Sequence, residues 1–189
     1  PWTTKAEKDR IEFVQEVAGP RGWGYRYVKR LILDPGKPVL RIEHSLTNTG
    51  KHRIDAEQYA HNFMALDRKP AGKGLTVSFS FPVKTAADIA KIGRIVGNRL
   101  VVTADRVEPT FVPLEGWTPG ARDVTATISS PGVTAGIRIS GDFVVSKMGV
   151  FLSPEQLSWE PFTKILVEPG ATASWTRSYE FLLDGTAGN

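Results

Sequence analysis

RIEHSLTNTGKHRIDAEQYAHNFMALD, residues 41–67, decides the fold. Leu40, Ile42, His44 and Leu46 alternate with Arg41, Glu43, Ser45 and Thr47. That two-residue period is the pattern of a half-buried strand. Asn48-Thr49-Gly50-Lys51 follows with turn chemistry, in which Gly50 is free to take a positive φ. A second strand is then expected over residues 54–64. It sets Asp55, Glu57, Tyr59, His61 and Phe63 on one face, and Ile54, Ala56, Gln58, Ala60 and Asn62 on the other. A carboxylate, a phenol and an imidazole thus share one side of one strand.

The same alternation recurs outward from this pair. Residues 11–17, 25–33, 75–81, 98–104, 106–113, 123–129, 133–140, 143–151 and 171–183 all read as strands. Turns such as Asp34-Pro35-Gly36 and Glu168-Pro169-Gly170 separate them. Residues 1–10 are polar and read as loose, and residues 85–92 (TAADIAKI) read as the one short helix. The stretch 153–162 carries Trp159-Glu160-Pro161. Many short strands joined by tight turns point to an all-β chain folded as an antiparallel β-sandwich. A chain of 189 residues fits one domain, spanning 1–189, with a core of adequate size.

Composition narrows the function. With no cysteine, there is no disulfide framework and no cysteine-ligated metal. The net charge of +4 comes from scattered Lys and Arg. No basic run interleaved with aromatics points to nucleic acid, and no apolar run approaches membrane-spanning length. The three histidines lack the short spacing of a zinc site, so no metal is expected.

GWGYRYVKRLIL, LRIEHSLTNTGK, EQYAHNFMALD, SWEPF and ILVEPGATASWTRSYEF together resemble, in that order, the aldose 1-epimerase (galactose mutarotase-like) superfamily. The resemblance covers roughly residues 22–182 by motif order. It implies a β-supersandwich of two large antiparallel sheets with a sugar site on a concave face. It implies a histidine that protonates the sugar ring oxygen, matched by His61 in YAHNFM, where Asn62 follows the histidine. It implies a late-strand glutamate that takes the anomeric hydroxyl proton, matched by Glu160 in SWEPF. The partner is then a monosaccharide or glycan, and no cofactor is required. The family's arginine and further histidine come from early strands, and only about twenty residues, none of them histidine, precede GWGYRY here. The chain is therefore expected to lack the family's N-terminal strands. The resulting edge is either capped by residues 1–20 or paired with another chain in self-association.

Mutarotation needs two groups that both accept and release protons near neutrality, which suits His61 and Glu160. Glu57 shares the face of His61 and is placed to orient it; a surface ion pair is the plainer reading. Tyr59 and Trp159 offer rings for a sugar's apolar face, although such residues more often pack in cores. Asn62 and Arg26 offer hydrogen bonds to hydroxyls. His44, in an otherwise apolar register, reads as a hydrogen-bonded interior or concave-face residue. The alternative to catalysis is a carbohydrate-binding or structural sandwich with an incomplete site.

Overall fold

The computed structural model describes residues 1–183. Its strands are β1 (Trp2–Ala6), β2 (Arg10–Ala18), β3 (Gly24–Leu33), β4 (Val39–Asn48), β5 (Ile54–Gln58), β6 (Thr76–Phe79) and β7 (Gly93–Val96). They continue with β8 (Arg99–Val102), β9 (Thr110–Pro113), β10 (Ala126–Ser129), β11 (Gly136–Gly141), β12 (Val145–Leu152), β13 (Leu157–Val167) and β14 (Thr172–Leu182). A ten-stranded sheet runs β1-β2-β3-β4-β14-β11-β10-β6-β8-β7, and a four-stranded sheet runs β5-β13-β12-β9. Every pairing is antiparallel. The chain is an antiparallel β-sandwich.

The core lies where the small sheet covers the large one. Val77, Leu100 and Ile128 of the large sheet and Val112, Val150, Leu152 and Leu157 of the small sheet are fully enclosed. Each such Leu or Ile contributes on the order of 2 kcal/mol by leaving water. Trp159 belongs to this core, with its ring 6.4 Å from that of Phe79.

The turn after β4 joins the sheets. Asn48 is buried, and its Nδ2 donates to the carbonyls of His52 and Val167, each at 2.8 Å. Its Oδ1 accepts the Gly50 N–H at 3.0 Å. Gly50 does not take the positive φ expected of it. It is required for another reason: a Cβ there would stand 2.6 Å from both Gly22 O and Gly24 N.

Three local expectations are corrected. Residues 1–10 are not loose, because β1 pairs with β2 from Trp2↔Gln15 to Ala6↔Ile11 and forms the sheet edge. No helix forms over residues 85–92. There Asp88 Oδ1 accepts the Ala90 N–H, a donor that a helix would give to the Ala86 carbonyl. β13 runs unbroken through Pro161. Its ladder with β5 spans only Thr163–Val167, so a residue without an N–H sits where β13 pairs with β12 alone. Finally, the strand expected over residues 54–64 stops at Gln58.

Candidate functional site

The segment after β5 leaves the ladder but keeps its alternation. Gln58 and Asn62 reach toward the large sheet, to Arg177 and to the Tyr179 hydroxyl respectively. Tyr59, His61 and Phe63 turn the other way, over the outer face of the small sheet. The segment is then pinned at Met64, whose N–H donates to Leu157 O at 2.7 Å.

On β13, neighbouring side chains point to opposite faces. Trp159 enters the core, so Glu160 stands on the outer face, opposite Gly149 of β12. There His61 folds over it, and His61 Nδ1 is hydrogen-bonded to Glu160 Oε1. With Glu160 ionised, Nδ1–H is the donor. Glu160 is 3% exposed, while the His61 side chain is 39% exposed. Among the described residues, nothing hydrogen-bonds to His61 Nε2.

Aromatic rings surround the pair. Tyr59 stacks on Phe162 with centroids 4.5 Å apart. His61 meets Phe63 at 4.2 Å and Phe151 at 5.0 Å, both edge-on. Phe111 lies over Gly149, where a Cβ would overlap its ring. Tyr59, Phe63 and Phe111 are all exposed, so the rim is open. Nearby charges are already paired: Lys147 Nζ with Glu57 at 2.7 Å, and Lys164 with Asp55.

The structure therefore unites His61, Glu160 and Tyr59, and separates the other candidates from them. Glu57 bonds Lys147 and the Ser146 hydroxyl rather than orienting His61, and these bonds hold its carboxyl below the usual carboxylate range. Asn62 is committed to Tyr179 across the sandwich. Trp159 faces the core and offers no ring to a ligand. Arg26 pairs with Glu16 at 2.8 Å on the face of the large sheet opposite Tyr27, away from the pair. A ring-wide gap of about 5–8 Å between His61 and Glu160, the room a pyranose needs, is likewise absent: the two side chains touch.

One buried charged residue was missed. Arg177 lies on β14 in the register of Ala173, Trp175, Tyr179 and Phe181. An arginine in an otherwise apolar strand register was the available signal. Its Nη2 donates to Gln58 Oε1 at 3.2 Å and to Pro161 O at 3.1 Å, and its guanidinium lies 4.3 Å over the Phe143 ring.

On the same inner face His44 stacks on Trp175, centroids 4.9 Å apart and nearly parallel. The Tyr27 hydroxyl bonds His44 Nδ1 at 2.6 Å. Burial pushes the Tyr27 phenol up to about 12 and the His44 imidazole down to about 3. Tyr27 is thus the donor and His44 the neutral acceptor.

No protein-family model matches the sequence, and no curated protein is detectably similar to it. Solved structures match its fold throughout. The Slr1438 protein of Synechocystis is 15% identical, with a TM-score of 0.68, over 97% of this chain and 66% of its own. A galactose mutarotase-like protein from Lactobacillus casei is 17% identical, with a TM-score of 0.69, over 95% of this chain and 72% of its own. An aldose epimerase homologue from C. elegans is 11% identical, with a TM-score of 0.70, over 97% of this chain and 69% of its own. This chain spans about two thirds of the length of these structures. Its fold is that of the aldose 1-epimerase and galactose mutarotase-like proteins.

Proposed function

We propose that the protein acts on a monosaccharide or the end of a glycan as an aldose 1-epimerase-like isomerase, with His61 and Glu160 as its acid–base pair. The observation that carries this reading is their direct contact: two residues 99 positions apart meet on a mutarotase-like fold, inside an open aromatic rim. Mutarotation removes the proton of the C1 hydroxyl while protonating the ring oxygen. The ring opens, the C1–C2 bond rotates, and the two roles reverse on closure.

In this reading His61 presents Nε2 to the sugar: the neutral imidazole accepts the C1 hydroxyl proton there, and the resulting imidazolium returns it to the ring oxygen. Glu160 orients His61 through Nδ1 and stabilises the imidazolium when it forms. Because the two side chains touch, a sugar that hands its C1 proton to Glu160 must first displace the imidazole. The rings of Tyr59, Phe63, Phe111 and Phe162 receive the apolar face of the pyranose. Nucleic acid and membrane have no place in this reading.

A second reading has a specific observation behind it. Glu160 is enclosed, and Arg26, Glu57, Asn62 and Trp159 are all engaged elsewhere. A face with an aromatic rim and a closed pair also suits a carbohydrate-binding protein without turnover. Anomer-resolved NMR on fresh α-aldoses, paired with titration of the same sugars, separates the two. Anomer exchange above the buffer rate supports the isomerase, and saturable binding without exchange supports the binding protein.

A further inference from the structure

Arg177 is only 2% exposed, and no carboxylate among the described residues pairs with it. Burial lowers its guanidinium to about 10, which leaves it charged at neutral pH. A hydrocarbon chain of the same size would fill this space without taking a cation out of water. What the guanidinium adds is directed hydrogen bonding, to the residue after Glu160 and to Gln58, three residues before His61.

Pro161, whose carbonyl accepts one bond, is the residue after Glu160. Gln58, whose Oε1 accepts the other, ends β5, and its Nε2 donates to Tyr59 O at 2.6 Å. Two residues along β14, the Tyr179 hydroxyl holds Asn62. β14 thus grips the His61 segment on both sides of the histidine, at residues 58 and 62, and grips β13 beside the glutamate. The Phe143 ring lies under the guanidinium and packs against it.

We propose that Arg177 is a positioning residue: from the opposite sheet, it aligns the backbone at Pro161 and the side chain of Gln58 so that Glu160 holds His61 as the Nδ1–H tautomer. The inference rests on reading this pair as the acid–base pair, but its test needs no turnover. A hydrogen bond at one ring nitrogen sets the proton at the other. An aligned Glu160 therefore keeps His61 Nε2 unprotonated and ready to accept.

The experiment is ¹H–¹⁵N correlation NMR of the imidazoles, recorded where His61 is neutral, for the wild type, Arg177→Met and Gln58→Met. The wild type is expected to show a protonated Nδ1 and a bare Nε2 at His61. Arg177→Met is expected to lose that signature and show a mixture of tautomers. A folded Arg177→Met protein that keeps it overturns the proposal, as does a wild type without it. Should Arg177→Met fail to fold, Gln58→Met removes one acceptor at the end of β5 and carries the same test. A reduced Nδ1–H population then supports the proposal and an unchanged one overturns it. Absence of mutarotation in the wild type counts against the isomerase reading alone and leaves the tautomer result standing.

Discussion

His61 and Glu160 touch through Nδ1 and Oε1, with the carboxylate enclosed and the imidazole open to solvent. In the proposed function the buried member orients and the exposed member meets the sugar. This division of labour follows from alternation on β13. Trp159 takes the core side and leaves Glu160 beneath the segment that carries His61.

If the protein is a mutarotase, His61→Asn lowers kcat on the order of 10²-fold, the usual scale of a positioned acid–base group. The fold persists, because His61 lies in a partly exposed segment outside the ladder. Circular dichroism and anomer-resolved NMR on one sample check both halves. Full turnover in a folded variant removes His61 from the mechanism.

The aromatic rim predicts a split between binding and stability. Tyr59→Ser removes an exposed ring stacked on Phe162. It is expected to cost about 1 kcal/mol of stability and to weaken sugar binding about tenfold. Trp159→Ala empties a core position instead and is expected to cost about 3–5 kcal/mol. Urea unfolding and sugar titration of the two variants test the contrast. Weaker loss of binding in Tyr59→Ser than in a still-folded Trp159→Ala would reverse the assignment.

Gly50 is set by close approach. An alanine Cβ there meets the Gly22 carbonyl oxygen and the Gly24 nitrogen, both backbone atoms with little room to give. Gly50→Ala is expected to destabilise by about 1–3 kcal/mol. The Asn48 bridge to Val167 should loosen with it, raising amide exchange at the end of β13. An unchanged melting temperature would show that the turn relaxes freely.

Strand content was legible because alternation is local: β2, β3, β4 and β14 fall where the period placed them. Turn-level detail was less so. The segment 85–92 has helical composition, but Asp88 captures the Ala90 amide donor. The segment after Gln58 keeps its alternation while losing its ladder, so odd and even residues still part correctly. What alternation cannot supply is the partner across the sandwich. Nothing in YAHNFM signals that Asn62 meets Tyr179 or that Gln58 meets Arg177, because those pairs span more than a hundred residues and two sheets. Arg177 itself was visible as a charged residue in an apolar register, but its purpose was not.

His44 makes a pH prediction. Burial against Trp175, then the charges of Arg177 and Lys29, lowers its imidazole from 6.5 to about 3 in the folded protein. The unfolded chain takes up a proton at His44 as pH falls below 6.5, and the native protein refuses it until about 3. The unfolded state therefore binds more protons across that window, and stability drains away on acidification by about 1.4 kcal/mol per pH unit from this residue. Above the upper limit His44 contributes no slope. Carboxylates titrate in the same range, so the effect is isolated by comparison with His44→Phe, which keeps a ring on Trp175 and cannot titrate. The Tyr27 hydroxyl loses its acceptor in that variant, an offset independent of pH in this window because the phenol ionises only near 12. Urea unfolding at successive pH values should show the stability of His44→Phe gaining on the wild type by about 1.4 kcal/mol per unit on going below the ordinary imidazole range. Parallel curves would mean that His44 takes its proton in the folded state, and that the Tyr27–His44–Trp175 stack opens to admit it.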